Sequence, residues 1–331
     1  MKTLITVSVA IFAFKAALAD IPKHSATYWE AIKPEVQEAQ RKGAKAKIIY
    51  RIVDDEGTPI TNATIHGQWQ NDYPRKTWKE TFTTDTNGEF VAKGKVGGRF
   101  GFYVKMDGYY LSSTGVDFHW REGVSPLVKD GKWQPYGERR MLFVKRKINP
   151  VNAPTVKFGG LSVPVTNVWL GLDMEKFKWV KPYGDGINSD MLLRFNSEPV
   201  NKYVVNWATM EVSFTNNPYA GFYVMPKDGF SEMKSAYHAD TNMVFHTGIS
   251  YSIGRLSKDD HRLDENHYMV FRTRTRIDND GKLVSAHYGK IYGRWDIWDG
   301  TEARMMFFNP TPNDTNLEDM MTFKESESAR W

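Results

Sequence analysis

Histidine and carboxylate side chains three positions apart can share a metal ion, and the chain holds one such string, His119-Trp-Arg-Glu122. His238 and His246 lie further on as sources of a third ligand. A zinc centre also needs a preorganised scaffold, an open coordination position and a base carboxylate. No large α/β sheet can be read from this sequence to supply one. The stretch Ser257-Lys-Asp259-Asp260-His261-Arg262-Leu-Asp264-Glu265 has the several carboxylates that a hard cation wants, and equally the make-up of a solvated loop. Asp278-Asn279-Asp280-Gly281 begins like a calcium loop but has no glutamate at the twelfth position, and a hairpin turn accounts for it. Glu175, Asp185, Asp190 and Glu211 are available to a glycosidase-type carboxylate pair, although no local pattern selects two of them. There is no nucleophile elbow, phosphate loop or dinucleotide fingerprint. With no cysteine, thiol chemistry and disulfides are excluded. The expectation is a chain with no catalytic residue, no metal and no cofactor.

Aromatic side chains are the stronger functional signal. Sugar rings stack on flat indole and phenol faces that carry a polar handle. Trp295 and Trp298, in Trp295-Asp-Ile-Trp298-Asp-Gly, alternate with polar residues ahead of a turn. Trp69, Tyr73 and Trp78 sit in or beside a polar insertion. These five are the expected aromatic platform. Packing in a core is the competing use of each ring, as it is for Trp169, Trp179 and Trp207.

The elements that would position these residues are strands. The stretches Lys45 to Ile65, Thr83 to Phe90 and Phe100 to Tyr109 hold apolar runs separated by acid-glycine turns, in which Gly57, Gly88 and Gly108 supply a positive backbone torsion. Gln70 to Lys79 interrupts them as a long hairpin tip. Arg140 to Lys147 reads as the last strand of this domain. Further on, Tyr203 to Val212, Gly221 to Met225 and His267 to Ile277 are rich in β-branched and aromatic residues. In the last of these, Tyr268-x-Val270-x-Arg272-x-Arg274-x-Arg276 keeps a two-residue period. No stretch has helical spacing long enough for crossover helices, so a parallel sheet is not expected. Tyr28, Trp29, Ile32, Val36 and Ala39 predict a helical lead-in over 20–44, with Pro34 breaking it or starting a second helix and Gly43 stopping it. Lys132-Trp133-Gln-Pro135-Tyr136-Gly137 is echoed by Lys178-Trp179-Val-Lys-Pro182-Tyr183-Gly184.

Three motifs in order carry a family resemblance: Asp54-x-x-Gly57-x-Pro59-Ile60-x-Asn62-Ala63, Thr84-Asp85-x-x-Gly88-x-Phe90 and Phe102-x-Val104-x-x-x-Gly108-Tyr109. Residues 45–111 resemble the carboxypeptidase regulatory-like domain, a transthyretin-like (prealbumin-like) β-sandwich. The resemblance implies a non-catalytic accessory module, here inside an exported bacterial two-domain protein. The insertion from Gln70 to Lys79 departs from the pattern.

Across 331 residues, 41% apolar and 14% aromatic content supports a packed core in two domains. The formal charge is +5, but Lys2 and Lys15 lie in a leader, so the rest of the chain is nearer +3. That balance is too even to argue for an anionic membrane surface or for nucleic acid, and no nucleic-acid partner is expected. Residues 1–19 read as a secretory signal peptide: Met1-Lys2, an apolar run from Leu4 to Phe14, and cleavage after Ala17-Leu18-Ala19. The run is shorter than the roughly 20 residues of a membrane span. The expected organisation is a signal peptide at 1–19, a helical lead-in at 20–44 and a regulatory-like β-sandwich at 45–150. A second antiparallel β-sandwich follows at 151–312, and a mobile tail at 313–331. The expected function is an exported, periplasmic, cell-surface or extracellular protein that binds or scaffolds without catalysis. Its partner is a polysaccharide or an envelope protein. A glycan hydrolase with a carboxylate pair is the remaining alternative, and oligomeric state stays open.

Overall fold

The computed structural model describes residues 33–72, 74–118, 127–153, 155–157, 161–201, 204–215, 217–254, 266–296 and 302–319. The fold is an all-β sandwich fold with one short helix among the described residues. The chain divides into two units, Met1–Arg146 and Lys147–Trp331, with the break slightly before residue 150.

In the first unit, α1 (Pro34–Lys42) starts at Pro34, whose missing N–H costs nothing at a helix N-terminus. The helix buries Val36 and Ala39 and stops at Gly43. Most of the longer helix expected from the spacing falls in 1–32, outside the described residues. Nine strands follow: β1 (Ala44–Asp54), β2 (Thr64–Asp72), β3 (Arg75–Thr83), β4 (Glu89–Val96), β5 (Arg99–Lys105), β6 (Ser112–Asp117), β7 (Val128–Lys129), β8 (Lys132–Trp133) and β9 (Glu138–Val144). One sheet runs β4-β1-β8-β7, with β9 also on β1; the other runs β3-β2-β5-β6. The two-residue period of β1 sends Ala46, Ile48, Tyr50 and Ile52 inward. They meet Phe100, Phe102 and Val104 of the second sheet. Tyr50 lies edge-on to Phe102, with centroids 4.6 Å apart. The acid-glycine turns form as expected, with Gly57 and Gly88 at positive φ. The expected insertion is the β2–β3 hairpin, which closes from Thr64↔Thr83 to Asp72↔Arg75.

The second unit has ten strands: β10 (Thr155–Lys157), β11 (Leu170–Asp173), β12 (Lys178–Trp179), β13 (Met191–Asn201), β14 (Val204–Ser213), β15 (Gly221–Pro226), β16 (Gly248–Gly254), β17 (His267–Ile277), β18 (Leu283–Asp296) and β19 (Glu302–Phe308). They form the sheets β10-β19-β18-β17-β15 and β12-β11-β13-β14-β16. Leu172, Leu193, Met210 and Phe214 face Met269, Phe271, Ile291 and Phe308 between them. The first sheet is covered on its other face too, where Tyr223, Tyr268, Val270, Tyr292 and Leu317 pack together. A strand apolar on both faces is what the unbroken run Tyr268-Met-Val-Phe271 encodes.

The tail departs from expectation. Read as mobile from Asn313, it is packed through Asp319: Leu317, Glu318 and Asp319 are buried. The two Glu318 carboxylate oxygens accept hydrogen bonds from the backbone N–H groups of Ile148 (2.6 Å) and Asn149 (2.7 Å). The Leu317 N–H donates to the Tyr237 carbonyl. A polar sequence thus becomes interior by satisfying backbone groups rather than by apolar burial. The Lys-Trp echo also has a structural counterpart. Both pairs form two-residue strands, both indoles are buried, and each N–H donates to a backbone carbonyl, of Val96 for Trp133 and Ser162 for Trp179.

Candidate functional site

The expected platform does not assemble in the first unit. Trp69 is fully buried, because strand parity puts residues 65, 67 and 69 of β2 on the inward face. Its ring lies 4.4 Å from that of Phe100, and its N–H donates to Glu80 Oε2 at 2.9 Å. Gly94 of the opposite sheet makes the space: a Cβ there would sit 3.0 Å from Trp69 Cζ2. Trp78, directly opposite Trp69 in the register, stacks on it at 6.3 Å and is partly buried against the same core. Trp69 is therefore a core residue and not a ligand platform. Trp295 lies on β18 opposite Ala303, past a register shift. Tyr73 and Trp298 fall outside the described residues, as do His119, Glu122 and the charged loop from Ser257 to Glu265.

Two of the four available acids, Glu175 and Asp190, converge on an arginine, joined there by Asp173. Arg274 donates from Nε to Asp190 Oδ1 (2.8 Å), from Nη2 to Asp190 Oδ2 (3.0 Å) and Asp173 Oδ1 (3.3 Å), and from Nη1 to Glu175 Oε2 (2.6 Å). Its guanidinium also lies 4.5 Å over the Phe308 ring. Strict alternation along β17 would put Arg274 beside Arg272 on the other face. A register shift after Thr273 and a φ of 48° at Arg274 turn it across the sandwich instead. Burial would raise the Asp173 carboxyl, but N–H donors from Ile187, Asn188 and Lys176, with Arg274, outweigh it and hold the group below its ordinary value. At Asp190 burial prevails over Arg274 and the group is raised. Neither acid faces an open cleft with a free oxygen, so the cluster works as a clasp between sheets. Asp185 pairs with Lys178 and Glu211 with Arg194, so these two acids are committed elsewhere.

A second enclosed constellation went unread in the sequence. Lys290 is completely buried, 2.9 Å from Ser235 Oγ and 3.2 Å from Asp319 Oδ2, with the Tyr292 ring 4.7 Å away. Serine beside lysine can act as nucleophile and base. Here Ser235, Lys290 and Tyr292 are all buried, so no substrate reaches them and the group anchors the tail segment.

A concavity among the described residues opens to solvent. A groove of about 550 Å³ lies at the open edge of the second unit, between β15 and the start of β16. Phe222, Tyr223 and Val224 line one side, and Met243, Val244 and Ile249 contribute most of the other apolar surface. Asn242 and His246 are the polar groups. Burial pushes the Tyr223 hydroxyl up to about 12, so it stays neutral, and it accepts the Asp240 N–H at 2.8 Å. β15 is the last strand of its sheet. On the side away from β17, Phe222 exchanges both backbone hydrogen bonds with His246 (2.9 and 2.8 Å). Gly221 permits that approach, since a Cβ there would meet the His246 carbonyl at 2.7 Å. Beyond His246 the partner segment leaves β15. The two-residue alternation then points the Val224 N–H and C=O into the groove. Val224 and Val244 are 38% and 73% exposed beside it.

Comparison with known proteins adds little. No protein-family model matches the chain, and no curated protein matches it significantly in sequence. Among solved structures, similarity is found to 3-chlorocatechol 1,2-dioxygenase from Rhodococcus opacus (15% identity, TM-score 0.25, 32% of this chain and 61% of that one). Catechol 1,2-dioxygenase from Acinetobacter is similar at 13% identity and TM-score 0.25, over 34% of this chain and 57% of that one. The match to hydroxyquinol 1,2-dioxygenase from Pseudomonas putida has 14% identity and TM-score 0.23, over 31% and 57%. The chain spans about three fifths of the length of these structures. At such scores they carry no argument about activity. Among the described residues no three histidine or acidic side chains stand together as a metal set, and no helix is long and apolar enough to cross a membrane.

Proposed function

We propose that this is an exported, non-catalytic binding protein whose second unit takes an extended segment of another polypeptide into the groove beside β15. The observation that carries the reading is the outward backbone edge at Val224 next to an apolar groove. An added strand gains main-chain hydrogen bonds from such an edge and seats alternate side chains in the adjoining pocket. The turn motifs of the first unit support its reading as a regulatory-like accessory sandwich, and the leader supports export to the periplasm, cell surface or medium. Glycan recognition drops to second place, because Trp69 lies in the core and leaves Trp295 and Trp298 as the main rings.

The test is selection of a random dodecapeptide library on the full chain, with Val224→Lys and Val244→Lys variants alongside. Selected peptides are expected to carry apolar residues at every second position and to lose binding to both variants. Peptides that bind the variants equally, or no selection at all while a polysaccharide-loaded gel retards the protein, would refute the strand reading in favour of glycan.

A further inference from the structure

The modest net charge of the chain, +5 over 331 residues, hides a strong local segregation on the first unit. β1 lies between β4 on one side and β8 and β9 on the other, and directly paired residues share a face. With Ala46, Ile48, Tyr50 and Ile52 inward, the outward face carries Lys45, Lys47, Ile49 and Arg51; Val53 follows at the same parity but is itself buried. The register places Lys95, Lys45 and Lys132 in one row across three strands, and Lys93 beside Lys47 in the next. Five lysines therefore share a patch about two strand spacings wide and one two-residue step long, roughly 10 by 7 Å at their Cα atoms. Like charges directly opposite on a sheet oppose folding. Three lysine–lysine pairs, Lys45/Lys95, Lys45/Lys132 and Lys47/Lys93, lie on this one face, a repulsion that an anionic partner would relieve.

The rows that follow are different. Val91, Ile49 and Arg139 form the third, Glu89, Arg51 and Met141 the fourth, and Val53 and Phe143 the fifth. Val91, Met141 and Phe143 are 41%, 51% and 54% exposed. Glu89 is the one acid in the five rows, and it pairs with Arg139 at 3.4 Å. We propose that this face docks on an anionic lipid bilayer, its lysines among the headgroups and Met141 and Phe143 at the acyl boundary. Cations joined to exposed apolar side chains on one face are the composition that interfacial binding requires. A glycan would call for amide or carboxylate partners to its hydroxyls, and the five rows offer only Glu89. A nucleic acid would use the lysines but has no use for Val91, Ile49 and Met141.

The experiment is co-sedimentation of the full chain with phosphatidylcholine vesicles, with and without roughly one third phosphatidylglycerol. Binding is expected only to the anionic vesicles. Each lysine contributes about fivefold to partitioning, so Lys45→Gln/Lys93→Gln/Lys95→Gln is expected to lose about a hundredfold. Lys76→Gln/Lys79→Gln, on β3 of the other sheet, is expected to bind as the unaltered protein does. Met141→Ser/Phe143→Ser should bind at low salt and release at physiological salt, because only the screened electrostatic part is left. Glu89→Gln, which removes the one acid, should bind several-fold more tightly. The triple variant should melt no lower than the unaltered protein, which separates lost binding from lost folding. Three outcomes would overturn the proposal. One is equal binding to neutral vesicles. Another is an unaffected triple variant. The third is binding to dextran sulfate or duplex DNA that depends on the lysines while no anionic vesicle binds.

Discussion

Replacing Arg274 by leucine tests whether the acid cluster is a clasp. The substitution leaves Asp190 and Asp173, each with about 1% of its side chain exposed, without their shared cation. Removing one partner of a buried ion pair costs about 3–5 kcal/mol, because the remaining charge stays desolvated. In a unit of this size each kcal/mol moves the midpoint by about 2–4 °C, so the second unit should melt about 6–20 °C lower. The pH dependence is distinctive. In the unaltered protein Asp173 is held low, so its contribution is present above the ordinary aspartate value and is lost as pH falls through its folded value. Asp190 is raised, so its contribution has the opposite sign and declines as pH rises from the ordinary value through the folded one. In Arg274→Leu both groups rise, and the deficit should shrink as acid neutralises them. Arg274→Leu/Asp190→Asn should recover part of the loss. Urea titrations at neutral and acid pH, followed by near-ultraviolet circular dichroism, read all of this. A loss under about 1 kcal/mol, equal at both pH values, would mean that the cluster is not a clasp and that its acids are free for other work.

Trp69→Ala should cost about 3–5 kcal/mol in the first unit, measured by urea unfolding, because it empties a site packed by Phe100, Trp78 and Gly94. A surface ring would cost far less. Lys290→Met leaves Asp319 buried beside a lost cation and should destabilise the second unit by about 3 kcal/mol or more, read as a lower thermal midpoint. A chain stopped after Asn313 should lose the cooperative transition of the second unit, whereas one stopped after Asp319 should keep it; calorimetry distinguishes them.

The sandwiches were legible because strand alternation and acid-glycine turns are local signals, and the structure follows them from β1 through β6. Arg274 was legible as a strand residue but not as a clasp. The register shift that rotates it is set by its partners across the sandwich rather than by its neighbours in sequence. Lys290 was hidden for a related reason: a lysine in a strand reads as outward-facing, and only the tail folding back over that face encloses it. The Glu318 segment looked mobile because its composition is polar, and composition cannot register carboxylates that cap backbone N–H groups 170 residues away. The lysine face was half visible, as Lys45-x-Lys47 and Lys93-x-Lys95. Bringing the two pairs together needs the β1–β4 register, which net charge does not report.

The bonds from Glu318 to Ile148 and Asn149 also set an order of events. A chain made from its N-terminus can complete the first sandwich once β9 has been synthesised, since β9 is the strand that lies beside β1. The second cannot close in the same stepwise way. Its opening residues wait for a segment synthesised some 170 residues later, and until then Ile148 and Asn149 are held only by water. Through that interval the nascent chain is a finished sandwich trailing an open one. Chaperones and proteases would meet it in that form, and a premature stop between the end of the first unit at Arg146 and residue 318 would leave it so.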